Sequence, residues 1–266
     1  MKNRQLNYSA STYQYLPKNT RHQFAQAYAL RIYRSNSVYS FIPKNACSTM
    51  RLSLAMANGC ISSPTDFNWI HQNNDTFRAD LASLIQSEYT FVILRCPFAR
   101  LASAYLDKIV DTTGVAWELY EAVQRRQENE DLSFRRFVNT VCKPDILRSN
   151  IHWQPQVDFL VYQEYDDYFN LETFATAKAT LERKAQISIV DARKLTRHGT
   201  DRFQFLKDGN YADYLPEAIR TLKKAGQIPH PATLYDDALI TKVSKAFKQD
   251  ISLYKSLFGT GHLLFS

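Results

Sequence analysis

The sequence predicts an α/β fold, a single domain whose central parallel sheet is flanked by helices. Two strand–loop–helix units in series predict the parallel sheet, with ligands expected at the carboxyl ends of its strands. The absence of an internal repeat or a low-complexity linker from a chain of 266 residues predicts one domain rather than two. A composition 45% hydrophobic and 22% charged provides an ordinary globular core that needs no staples.

Residues 1–37 are polar, basic and rich in Tyr, and read as an N-terminal extension packed on a domain that spans 38–266. The first strand is 38–42, a β-prone run closed by Pro43. Ser48 and Thr49 are good N-caps for the helix that follows, which Asn58 and Gly59 bring to a stop. The second strand is 89–94, apolar throughout as a parallel strand covered on both faces would be. Arg95 sits at its carboxyl end, and Pro97 fits the first turn of the next helix. Further helices are predicted over 132–141, 171–183, 214–225 and 236–257, and short strands over 159–162 and 187–190.

A formal charge of +7 favours polyanionic partners such as nucleotides, nucleic acid, anionic glycans or an acidic membrane face. The basic residues are dispersed rather than clustered, which argues against a dedicated nucleic-acid groove. Peripheral membrane contact stays open; the oligomeric state is not legible. Four cysteines, with no C-x-x-C pair, predict free thiols in a reducing compartment. With no apolar run of about 18 residues and no signal peptide, a soluble cytoplasmic protein is expected.

FIPKNACSTMRLSL, residues 41–54, places Lys44 just after a strand and two hydroxyls at the start of a helix. Backbone N–H groups of Asn45, Ala46, Cys47, Ser48 and Thr49, the helix N-terminus and the Lys44 charge together suit an anion. Taken alone, the segment also reads as a plain strand-to-helix turn with a solvated lysine. It is not a Walker A loop, because Lys44 precedes Ser48 by four positions and no glycine is present. The second element is FVILRCPFARLASAYLDK, residues 91–108. Here Arg95 can bind a phosphate bidentately, and Ser103, about two turns into the following helix, can add one directional hydrogen bond.

The pair PKNACSTMR and LRCPFARLASAYLDK resembles the 5′-phosphosulfate loop and the 3′-phosphate motif of the Golgi carbohydrate sulfotransferases of the chondroitin and HNK-1 type. Residues 150–156, containing His152 and Trp153, resemble that family's H-W-x-P segment, and residues 235–258 its C-terminal helix region. The resemblance implies a P-loop kinase-like sulfotransferase fold and a donor, 3′-phosphoadenosine 5′-phosphosulfate, converted to adenosine 3′,5′-bisphosphate. Lys44 to Thr49 would hold the 5′-phosphosulfate, and Arg95 and Ser103 the 3′-phosphate. Cys96 replaces the usual acid, Ala99 a Glu, Met50 a Trp and Leu106 an Arg. The membrane anchor of the Golgi enzymes is not found in this sequence.

Sulfonate transfer to a sugar hydroxyl needs charge stabilisation, supplied by Lys44, and a base titrating near neutrality. His71, in a loop between the two phosphate elements, and His152 are the candidates. No His/Cys cluster has metal-ligand spacing, so metal-independent activity is expected. The acceptor is expected to be a carbohydrate, a polysaccharide or glycan, and the basic charge favours an anionic one. Two other classes stay open: a nucleotide or sugar kinase with a degenerate phosphate loop, and a non-catalytic polyanion-binding protein.

Overall fold

A computed structural model describes residues 4–9, 15–73, 75–111, 114–124, 132–196 and 202–265, so parts of the 1–37 extension lie outside the described residues. The chain begins with α1 (Thr20–Ala27), β1 (Ala29–Ile32), β2 (Ser37–Ser40), α2 (Cys47–Ala57), α3 (Trp69–Gln72) and α4 (Leu81–Gln86). It continues through β3 (Tyr89–Leu94), α5 (Pro97–Ala104), α6 (Gly114–Gln124), α7 (Phe134–Val141), β4 (Asp167–Asn170), α8 (Ala177–Ala185) and α9 (Arg193–Thr196). It closes with β5 (Gln204–Leu206), α10 (Pro216–Lys224), β6 (Gln227–Pro229), α11 (Asp237–Ala246) and α12 (Lys248–Phe258). The α/β domain divides into two compact units, each built from two stretches of chain: Met1–Arg95 with Gln156–Arg197, and Cys96–Pro155 with His198–Ser266.

The first unit holds a sheet in the order β1-β2-β3-β4. β2 and β3 pair in parallel, as do β3 and β4, while β1 runs antiparallel to β2. All six residues of β3 are buried, which is why its sequence is a continuous apolar run. Tyr39 and Phe91 are register partners whose rings stack at 5.0 Å, and they anchor a core that also contains Leu52, Leu54, Ile93 and Leu181. Because β2 and β3 are parallel, the loop after β2 and Arg95 after β3 emerge at the same edge of the sheet.

The stretch 1–37 contributes more than an overlay, since it supplies α1 and the edge strand β1. Its first described residues are also tied down: Arg4 pairs with Asp166 at 2.6 Å, and the Asn7 N–H donates to the Val161 carbonyl at 2.8 Å. Residues 159–162 do not form the expected strand. Gln156–Phe159 is a 3₁₀ turn, and Tyr162 makes a single bridge to Leu6. Apolar side chains there are buried without a ladder, because the Tyr165 hydroxyl takes the Val161 N–H at 2.9 Å. Residues 187–190 are likewise not a strand; the Val190 N–H is taken by the Ser53 hydroxyl at 2.9 Å. The helix expected over 171–183 is a kinked 3₁₀ stretch, Leu171–Thr176, followed by α8, with Thr173 outside helical geometry.

The second unit carries α5, α6, α7, α10, α11, α12 and the parallel pair β5–β6. α5 passes into a π-helical turn, Tyr105–Ile109, in which the Val110 N–H reaches back to the Tyr105 carbonyl at 3.1 Å. Phe98, Tyr105, Phe134, Phe137 and Tyr235 form its aromatic core, with Phe134 and Tyr235 at 4.8 Å between ring centroids. Where one helix is expected over 236–257, α11 and α12 are separated at Phe247, whose ψ of 26° departs from the helix. Cys47, Cys60, Cys96 and Cys142 are free thiols. Among the described residues no helix is long and apolar enough to cross a membrane.

Candidate functional site

The loop between β2 and α2 reverses direction without a glycine. Lys44 and Ala46 both adopt positive φ, 74° and 54°, a region that disfavours any residue with a Cβ. An αL residue directly before a helix turns successive N–H groups toward one concavity, the geometry of an anion nest. The Met50 N–H makes an early bond of the helix, to the Ala46 carbonyl at 3.0 Å, so the N–H groups of Cys47, Ser48 and Thr49 sit ahead of the ladder. Ala46 offers no side-chain cap, and the expected caps Ser48 and Thr49 lie inside the first turn instead. The N-terminus of an 11-residue helix, α2, thus presents donors and positive potential without an internal acceptor from its cap. Ala46→Gly is expected to raise thermal stability by about 1 kcal/mol, because glycine removes the αL penalty. Differential scanning calorimetry reads this directly.

Strain of this kind persists only where neighbours hold it. Asn45, between the two positive-φ residues, is fully buried, and its Nδ2 donates to the Ile93 carbonyl at 2.9 Å and to Gln156 Oε1 at 2.6 Å. Gln156 Oε1 also accepts from the Arg95 N–H at 3.0 Å, while Gln156 Nε2 donates to the Arg95 carbonyl at 2.9 Å. The Arg95 guanidinium then returns to the loop, donating from Nη1 to the Lys44 carbonyl at 3.0 Å. Asn45 Oδ1 is buried with no hydrogen-bond partner among the described residues, at a cost of about 1–3 kcal/mol. What its Nδ2 grips therefore has to hold the side chain in place.

Lys44 and Arg95 are thereby brought together, one at each parallel strand end. Ala46, Cys47 and Ser48 are half-buried around the loop. Thr49 is only 8% exposed, and its hydroxyl accepts from the Ala192 N–H at 3.3 Å, so part of its hydrogen-bonding capacity anchors residues 190–192 over α2. Arg51, two residues further along α2, lies 5.5 Å over the Phe41 ring, and burial lowers its pKa from the ordinary arginine value. His71 is on the exposed surface of the short helix α3 rather than in a loop.

Ser103 and His152 belong to the second unit. Ser103 is half-buried in the second turn of α5. His152 sits in a segment held by Arg100, which is 2% exposed and donates to the carbonyls of Gln154 at 2.8 Å and Ile151 at 3.0 Å. Asn150 Oδ1 accepts the His152 backbone N–H at 3.1 Å and lies 2.8 Å from His152 Nδ1. An atom that accepts a backbone N–H is the amide oxygen, so Nδ1 must be the protonated ring nitrogen. The neutral imidazole then carries its lone pair on Nε2. Asn150 Nδ2 in turn donates to Glu118 Oε2 at 3.2 Å.

Gln156, Asn150 and Glu118 escape sequence reasoning. Gln156 and Asn150 flank the H-W-x-P resemblance, which was the available signal, but only folding shows what they touch.

A sequence model described as the sulfotransferase family matches residues 32–256. Carbohydrate sulfotransferase 14 of Homo sapiens is 26% identical over 136 residues, covering 46% of this chain and 36% of the relative. The protein of the same name from Mus musculus is 25% identical over 136 residues, with the same shares. That from Danio rerio is 25% identical over 134 residues, covering 44% of this chain and 36% of the relative. The match therefore spans little more than a third of the length of these curated relatives. No solved structure gives a significant match.

Proposed function

This chain belongs to the sulfotransferase family, and from that membership we propose that it transfers a sulfonate from 3′-phosphoadenosine 5′-phosphosulfate to a hydroxyl of a carbohydrate. The observation that supports the donor assignment is the Arg95 side chain bound to the Lys44 carbonyl at 3.0 Å, which brings the two cationic residues together at one edge of the sheet. In this reading the N–H groups of Ala46 to Thr49 and the Lys44 ammonium hold the 5′-phosphosulfate, the Asn45 N–H being taken instead by the Ile42 carbonyl at 3.1 Å, and Arg95 with Ser103 holds the 3′-phosphate. The acceptor oxygen attacks sulfur in line as the bond from sulfur to the phosphate oxygen breaks. Lys44 stabilises the charge that grows on the leaving oxygen. His152 Nε2 receives the hydroxyl proton while Asn150 fixes the ring. A carbohydrate acceptor is supported by the names of the matched relatives, and the formal charge of +7 favours one that is anionic.

Titration calorimetry with adenosine 3′,5′-bisphosphate tests the donor assignment. Wild type is expected to bind it in the absence of Mg²⁺, and Arg95→Ala to weaken binding by about ten- to a hundredfold, the worth of a charge-assisted phosphate contact. Binding of ATP with Mg²⁺ in preference to the bisphosphate would replace this reading with a kinase.

A further inference from the structure

Resting on the donor assignment above, we infer that Gln156 is a positioning residue that couples the two phosphate subsites into one. Gln156 opens the Gln156–Phe159 turn, 61 residues beyond Arg95 and 111 beyond Asn45, and is 2% exposed. Its amide meets the N–H and the C=O of Arg95 as a neighbouring strand would, at 3.0 and 2.9 Å, so it continues the pairing of β3 one residue past the strand end. The same Oε1 accepts from Asn45 Nδ2 at 2.6 Å. With the Arg95 guanidinium on the Lys44 carbonyl, these contacts close a ring: loop to Gln156, Gln156 to Arg95, and Arg95 back to loop.

The orientation of the amide is determined by its partners. A backbone N–H requires the oxygen and a backbone carbonyl requires the NH₂ group, so a flipped side chain would lose both bonds. The need for such a brace follows from the loop itself. With Lys44 and Ala46 both at positive φ, the loop is not at its own conformational minimum, and without an external hold it relaxes away from the strand end. Each phosphate subsite can still form alone. What is lost is their fixed separation, and a ligand with two phosphates gains from pre-organisation only when both are held in register.

The test compares ligands as well as variants. Affinities of adenosine 3′,5′-bisphosphate, adenosine 5′-monophosphate and adenosine 3′-monophosphate are measured on the full chain, with thermal midpoints recorded alongside. Gln156→Met, of similar volume but without the hydrogen bonds to Arg95 and Asn45, is expected to weaken the bisphosphate by about ten- to a hundredfold and each monophosphate by less than about threefold. Gln156→Asn keeps a neutral amide but is one methylene too short to span Asn45 and both backbone groups of Arg95 at once, and is expected to fall between; it carries the test if the Met variant does not fold. In combination with Asn45→Ala, the Gln156→Met loss should not multiply, because both variants break the same ring. Unchanged bisphosphate affinity in a folded variant, or equal losses for all three ligands, would overturn the inference while leaving the donor assignment standing. Absence of bisphosphate binding by wild type would overturn both.

Discussion

Lys44→Ala is expected to lower kcat about a thousandfold, the upper range for removing one group aimed at charge that develops in a transition state. The substitution isolates the ammonium because alanine keeps a Cβ at a φ of 74°, so the backbone penalty at that position is nearly unchanged. Lys44→Gly would mix loss of charge with relief of strain. The Lys44 contact with Arg95 runs through the backbone carbonyl at 3.0 Å and survives the truncation. The donor dissociation constant should therefore rise much less than kcat falls, as befits a contact that strengthens when the leaving oxygen becomes charged. Single-turnover rates and donor binding, measured on the same preparation, separate the two; a kcat within about tenfold of wild type would remove Lys44 from the chemical step.

His152→Ala is expected to lower turnover at least about a hundredfold with donor affinity nearly unchanged, the usual worth of a positioned base. Its signature is the pH profile. A base must be neutral to act, so activity falls as pH falls through its pKa, and this acid limb should vanish in the alanine variant. Asn150→Asp supplies a second reading with a definite sign. A carboxylate 2.8 Å from Nδ1 favours the imidazolium, raises the pKa of the ring and moves the acid limb to higher pH. Full turnover in both His152→Ala and His71→Ala would defeat the histidine-base mechanism, and a loss confined to His71→Ala would transfer the role to that residue. His152 is preferred because its tautomer is dictated by Asn150, whereas His71 lies on the exposed face of a one-turn helix.

Much of the fold was legible where local pattern and burial agree. The continuous apolar run of β3 announced a strand covered on both faces, and Arg95 followed from where the run stops. Pro97 marked the next helix for a reason internal to the residue, its fixed φ. Legibility failed where tertiary contacts replaced local preference. β4, Asp167-Tyr168-Phe169-Asn170, is polar and half-exposed along most of its length, and only pairing with β3 makes it a strand. The apolar residues 159–162 lie against the core as irregular chain, because hydroxyl and side-chain partners satisfy their backbone.

By itself the sequence determined which chemical groups could meet an anion: Lys44 after one strand, Arg95 after another, hydroxyls and amides at a helix start, and two candidate bases. These are properties of residue type and near spacing, which do not depend on the rest of the chain. Only the tertiary structure decided how those groups are held. Positive φ at Lys44 and Ala46 carries no glycine to announce it, and Gln156 reaches Asn45 across 111 residues. A strained loop needs partners from outside itself, and those partners become neighbours only when the parallel strands bring their carboxyl ends to one edge.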